Sequence, residues 1–410
     1  MPLLSMARSP SGSGSRIAVA ISTAVALAVL FVRKSDAFLN PQFWAEDGTV
    51  FFVQQYELGL ESFFQTYSGY FHALPRLVAQ AADLFPYALA PAIYNCASLL
   101  VLLAVIWKLH SPRLELDHRH LMALSVVLVP HFTGEVFLNL TNVQWALAPL
   151  LLLVALQREP ENRAQSAGDL LLIAVGGLTG PFILLLLPLF AYRAWRRRSG
   201  HHVLCLGTAT GTGAVQLATM LRNPMVIPGP GAEAADTWTR LIGQKLFGTM
   251  FLGRLIPYSI DSGLLAVGGF LALAALLALA WTDPRRGRLV TVFLLFGAAV
   301  TAVTFYRFRN VPDLLIAAPA AARYFFLPNL MVLWSSVICF GLDGAWRKVL
   351  PVALAVLVVF SSFKSVFRTP AYEDYHWKTH AAKIDQGQPL EIPINPPGWT
   401  LKIDPEKRSK

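Results

Sequence analysis

The run from Ile17 to Val32, IAVAISTAVALAVLFV, is followed at once by Arg33-Lys34 and then by a mixed aromatic, acidic and polar segment reaching Pro86. Sixteen uncharged residues in a row fall just under the ~20 that a membrane-crossing helix prefers and exceed the core of about 7–15 in a signal peptide. We therefore read a retained first helix, preceded by a Ser/Gly-rich lead-in over residues 1–16. Moving outward, similar apolar stretches recur at about 87–109, 119–132, 143–157, 169–179, 181–192, 203–221, 263–281, 289–305, 325–341 and 349–363, giving eleven candidate helices. The composition agrees. Hydrophobic residues make up 55% and charged residues 14%, against roughly 25% charged in soluble chains. The net charge is 34 − 24 = +10. A nucleic-acid-binding protein would gather such charge on a polar domain, and no stretch here is long enough to be one. Cys96, Cys205 and Cys339 all lie within apolar stretches, so neither a disulfide framework nor a zinc cluster is expected. A soluble enzyme, a nucleic-acid binder and a disulfide scaffold are excluded. The expected fold is an all-α polytopic transmembrane bundle of about eleven helices in a lipid bilayer.

Two places decide how the chain folds across the membrane. Between Arg163 and Arg193 no Lys or Arg occurs, and the middle of that interval is Gly176-Gly177-Leu178-Thr179-Gly180-Pro181. Proline removes a helix hydrogen bond and glycine raises the entropic cost of a helix, so two short helices are expected there. The same logic splits 119–157 at Pro130 to Asn142. Short pairs of this kind need not cross fully, and would leave a cavity open to the far side. Placing the N-terminus in the cytoplasm then sorts the charge. Short cytoplasmic loops hold 16 basic residues and 7 acidic ones, leaving 24 − 7 = 17 carboxylates for the opposite face. Residues 1–363 form one transmembrane module on this view. Residues 364–410 form a short external tail, folded back over the external face with its Pro-rich part as a strap.

The chemistry is expected in the external segments, above all 33–86. That loop opens Phe43-Trp44-Ala45-Glu46-Asp47-Gly48, and its amphipathic pieces around Val50–Tyr56 and Leu60–Phe64 predict helices lying flat on the membrane. Neighbours on a helix point about 100° apart, so only one of Glu46 and Asp47 can face a given site. Asp47 can cap the helix beginning at Gly48 with Glu46 solvated, or one of the pair can serve as a general base tuned by partial burial. Glu135, in an apolar hairpin, is either a water-exposed tip or a functional carboxylate. Gln144 and Trp145 offer an amide and an aromatic face suited to a sugar, and equally to an interfacial belt. Arg323 beside Tyr324 offers a planar charged fork for phosphate, or it snorkels to lipid headgroups. Gly207 to Gly213 lacks the lysine of a phosphate loop and is better explained by close helix packing. His118/His120 and His201/His202 lack a third ligand, so no metal site is expected.

The Phe43-to-Gly48 element is similar to the acidic motif of the GT-C superfamily, multi-helix glycosyltransferases that use polyprenyl-phosphate-linked sugars. The Tyr70-Phe71-His72-Ala73-Leu74-Pro75-Arg76 run, the Arg323-to-Phe326 element and the Ile392-to-Trp399 stretch also resemble bacterial members, and the layout matches over most of the chain. The resemblance implies that Asp47 acts as base with Glu46 orienting it. It implies Arg323, then Arg76, as the cation stabilising the leaving phosphate. Tyr70, His72, Glu135, Gln144, Trp145 and Tyr324 are the implied substrate-binding residues. No cofactor is implied, and the need for a divalent cation is left undetermined. Members often carry a larger soluble domain after the helices. With 47 residues in that place, the acceptor implied is a glycolipid or polysaccharide, with the site on the periplasmic side of a bacterial inner membrane.

Two other functions share these features. A transporter or flippase for a lipid-linked sugar should show internal repeats and ionisable residues at helix centres. The sequence has no clear repeat, and its carboxylates concentrate in loops. A polysaccharide ligase or polymerase should have its largest external loop late in the chain, whereas here the largest is the first.

Overall fold

Within a bilayer, backbone polar groups must be satisfied inside the segment, so long Ala/Leu/Val runs bounded by basic residues become helices. The computed structural model describes residues 12–130, 135–224, 227, 229, 235–254, 256–316, 321–365 and 367–408. The first eleven residues of the lead-in and the Thr133-Gly134 hairpin tip lie outside them. We number the helices of ten or more residues α1 (Gly12–Arg33), α2 (Ala73–Ala82), α3 (Ala90–Leu109), α4 (Arg119–Leu128), α5 (Gln144–Leu156) and α6 (Arg163–Gly177). There follow α7 (Phe182–Arg197), α8 (Gly200–Arg222), α9 (Ser262–Ala280), α10 (Pro284–Arg307), α11 (Phe326–Cys339) and α12 (Ala345–Lys364).

A helix falls on each of the eleven apolar stretches. Among the described residues seven segments, built on α1, α3 and α8 to α12, are long and apolar enough to cross a membrane. This marks a multi-pass membrane protein. The seven stand against the eleven spans expected because α4 to α7 contain only 10, 13, 15 and 16 residues. At ~1.5 Å per residue these reach roughly 15–24 Å, short of a hydrocarbon core of ~30 Å. Outward faces of the long helices stay apolar, as on α9, where Leu264 is 70% exposed. Every residue of α11 is buried, as is nearly all of α5, so these two form the centre of the bundle.

The break at Gly176–Pro181 separates α6 from α7 as expected. Its glycines also admit neighbours, because a Cβ on Gly176 would lie 3.0 Å from Leu151 and one on Gly180 2.9 Å from Gln144. Close packing explains only part of the Gly207–Gly213 run. Gly213 rests on Leu184 and Leu187, while Gly207 and Gly211 face open space.

The 33–86 loop forms a wide π-helical turn over Asp47–Phe52, a short helix Val53–Leu58, a tight helix Gly59–Phe64, and α2. The stretch read as a strap is in fact a hairpin, the one addition to the helices among the described residues. After α13 (Trp377–Asp385), β1 (Leu390–Ile394) pairs antiparallel with β2 (Trp399–Ile403), with Ile392 opposite Leu401. Ile392, Ile394, Leu401 and Ile403 alternate inward and are buried. They press on the start of the loop, where a Cβ on Gly48 would meet Ile394 at 2.9 Å and Leu401 at 3.1 Å. Trp44 bridges to Asn395 and stacks on Tyr372 at 5.1 Å. Loop and tail are one layer capping one end of the bundle.

Candidate functional site

Chain direction at the Glu46–Asp47 step decides which carboxylate faces where. Ala45 takes a positive φ of 36°, and its N–H donates to the Asn395 carbonyl, fixing the entry into the π-helical turn. From there Asp47 points into the protein and is 2% exposed. It accepts from the backbone N–H of Leu140 at 3.1 Å, the N–H of Thr141 at 2.7 Å and the Thr141 hydroxyl at 2.5 Å. Asp47 thus ties down the turn that leads into α5, rather than capping the helix that follows it. Burial raises its pKa to about 6, opposed by the Thr141 and Leu140 hydrogen bonds.

Glu46 faces the other way, onto a cavity of about 430 Å³ at the loop-covered end of the bundle. The hydroxyl of Tyr67, which lines the same cavity, donates to Glu46 Oε1 at 2.8 Å. Burial and the neighbouring Glu46 raise the Tyr67 pKa, so this hydroxyl stays a donor. The same cavity is lined by Arg323 and Tyr324, at the start of the α11 segment. Arg323 Nη1 donates to Glu135 Oε2 at 2.5 Å, and its guanidinium lies 5.2 Å from the Tyr324 ring centre. A guanidinium has five N–H donors, so pairing with Glu135 orients Arg323 without exhausting it.

The side walls come from the ends of the short helices: Asn142, Gln144 and Trp145 at the start of α5, and Pro181 and Phe182 at the start of α7. Trp145 packs edge-on to Phe182 at 4.9 Å and to Tyr324 at 5.3 Å. Gln144 Nε2 donates to the Tyr70 hydroxyl at 3.3 Å. Gln144 Oε1 and Trp145 Nε1 are buried and have no hydrogen-bond partner. Tyr70 and His72 line the loop side, their rings stacked at 4.3 Å. Burial raises the Tyr70 pKa to about 12 and lowers that of His72 to about 3, so both are neutral near pH 7. His72 Nδ1 sits 3.2 Å from the Tyr70 carbonyl oxygen, which places its proton there.

Seven of the expected residues meet at this cavity: Glu46, Tyr70, His72, Gln144, Trp145, Arg323 and Tyr324. Glu135 is joined to it through Arg323. Two are not brought to it. Asp47 is turned away, and Arg76 is fully buried behind the wall, with its guanidinium 4.9 Å from the Phe51 ring and Nη2 donating to Gln54 at 2.6 Å. Tyr67, Arg307 and Phe308 line the cavity too and were not among the expected site residues. The signal for the last two was present, since they follow the apolar 289–305 stretch at the same end of the bundle as Arg323. No signal marked Tyr67, which matters only through its contact with Glu46. Among the described residues no three His, Cys, Asp or Glu side chains come together to hold a metal ion. Comparison with protein-family models, with curated proteins and with solved structures finds no match to this chain.

Proposed function

We propose that the chain is a membrane glycosyltransferase that moves a sugar from a polyprenyl-phosphate carrier to a glycolipid or polysaccharide acceptor. The observation carrying this reading is the presence, in the lining of one cavity, of both a carboxylate (Glu46) and a guanidinium (Arg323). The same lining carries the aromatic rings of Tyr70, Trp145, Phe182 and Tyr324 and the side chains of Asn142 and Gln144, suited to a sugar's apolar face and hydroxyls. At about 430 Å³ the cavity falls within the ~300–1,000 Å³ range of small-ligand sites and suits a sugar with its phosphate.

Glu46, rather than Asp47, is the base in this reading. Its carboxylate takes the proton of the acceptor hydroxyl as that oxygen attacks the anomeric carbon. The bond from that carbon to the phosphate oxygen breaks, and the electron pair leaves with the phosphate. The phosphate gains one negative charge, which Arg323 stabilises, with Arg307 on the same cavity replacing Arg76 as second cation. One base and one displacement invert the anomeric centre. No cofactor enters the reaction so written. In the proposed orientation the cavity is periplasmic in a bacterial inner membrane and the N-terminus is cytoplasmic.

Glu46→Gln and Asp47→Asn, made separately, test this. In membranes with equal protein, lipid-linked sugar turnover should fall at least ~100-fold in Glu46→Gln, the scale of general-base loss. Asp47→Asn should retain turnover in the fraction that folds. Full activity in Glu46→Gln sinks the proposal.

A further inference from the structure

A second cavity of about 540 Å³ lies at the far end of the same helices. Both cavities draw on α5, α7 and α10: Gln144, Phe182 and Arg307 at one end, Leu156, Arg193 and Arg288 at the other. Along α10 the two arginines are 307 − 288 = 19 positions apart, a rise of roughly 28 Å, close to the ~30 Å hydrocarbon core. The second cavity therefore sits at headgroup level in the leaflet opposite the candidate site.

Its chemistry is uniform. Arg158, Arg193, Arg196, Arg197, Arg285 and Arg288 line it, with Glu115 as the single carboxylate, for a balance of 6 − 1 = +5. Glu115 is engaged by Arg158 and lies 3.7 Å from Arg285, and Arg193 donates to the Gln157 and Leu156 carbonyls. Among the described residues no carboxylate pairs with Arg196, Arg197 or Arg288. Leu189, Leu289 and Val292 supply an apolar wall beside this charge. An orientation bias in short loops calls for basic residues on one side of the membrane. It does not call for three separate segments to converge on one cavity, nor for every basic residue there to be arginine. Guanidinium forks bind phosphate oxygens in pairs, and an adjoining apolar wall suits acyl chains.

We propose that this cavity binds the phosphate headgroup of an anionic phospholipid. The lipid neutralises the clustered arginines and joins α7 to α10 on that face of the bundle.

The test is lipid binding by the purified full-length protein, followed by native mass spectrometry with phosphatidylglycerol and phosphatidylcholine. The triple variant Arg196→Ala/Arg197→Ala/Arg288→Ala changes exposed side chains only. It should bind phosphatidylglycerol about 100-fold more weakly, the factor expected from removing basic groups at an anionic surface. Arg347→Ala/Lys348→Ala, basic residues outside the cavity, should bind as the parent does. Should the triple variant fail to fold, Arg197→Glu tests the same site with one change and the same expected sign. Undiminished binding in the cavity variants, or equal loss in the control, overturns the proposal. Inorganic phosphate should displace the lipid poorly. Displacement as effective as by a short-chain phosphatidylglycerol would reveal a site for soluble phosphate and overturn the lipid assignment.

Discussion

At the level of single residues, Glu46 and Asp47 carry the same chemical group in adjacent positions, yet one lines a cavity and the other is sealed against the Leu140–Thr141 turn. Asp47→Asn keeps one acceptor oxygen but turns an NH₂ toward donors that need acceptors, so it should cost about 2–3 kcal/mol through an unsatisfied buried donor. A lowered unfolding temperature in detergent is the measurement. The pH dependence has a definite sign. The folded pKa is about 6 against an ordinary value of 3.8, so the folded state holds this proton more tightly than the unfolded one. The contribution favours folding at low pH, is lost as pH rises from about 4 to about 6, and is constant above that. Asp47→Asn should remove this slope. Identical slopes in the two proteins would mean that Asp47 does not titrate in that window.

Elements bounded by local chemistry were legible in the sequence. Gly176 to Pro181 predicts the end of α6 and the start of α7 because glycine and proline act within a few residues of themselves. The Val50–Tyr56 and Leu60–Phe64 patterns predict the short helices Val53–Leu58 and Gly59–Phe64, since apolar periodicity is also a local signal, whereas the burial of Phe51, Phe52 and Tyr56 depends on distant contacts. The hairpin of Leu390–Ile394 and Trp399–Ile403 was hidden: five-residue strands carrying Pro393 read as a strap until Gly48 offers them a surface. The site divides in the same way. Gln144, Trp145 and Arg323 stand at helix starts where phase and depth follow from the pattern. Arg76 was misplaced because its burial depends on Phe51, a contact that spacing does not encode. Trp377 anchors the hidden layer. It is 3% exposed, donates from Nε1 to the Tyr87 carbonyl at 2.9 Å, and meets Phe43 at 4.7 Å and Phe52 at 5.4 Å. Trp377→Ala should destabilise this layer by about 3–5 kcal/mol, as large-to-small core changes do. Faster limited proteolysis within 367–408, with α5 and α11 still protected, is the expected signature; unchanged proteolysis would show that the layer holds without it.

Over the whole molecule, the +10 balance is a statement about two ends rather than about one partner. One end of α7 and α10 gathers arginines around a cavity, and the other reaches the cavity lined by Glu46 and Arg323. Composition alone was enough to place the chain in a membrane, because a charged fraction of 14% cannot cover a soluble protein of this length. Which four helices fall short of a full crossing was only partly legible, since length in the bilayer depends on where each helix is broken. The proposed orientation makes a direct prediction. A reporter active only in the periplasm should work when fused after Lys410, and a cytoplasmic reporter active there would invert the assignment.

The contact of Asn395 with Ala45 sets a timetable for biosynthesis. The loop bearing Glu46 leaves the ribosome 395 − 46 = 349 residues before the residue that holds its entrance in place. At ~5–20 residues per second, that interval lasts roughly 17–70 s. During it the bundle is being inserted while Gly48 and its apolar surroundings wait uncovered. A nascent chain cut short by an early stop codon would be threaded through the membrane but lack the Ile394 and Leu401 side chains that cover Gly48.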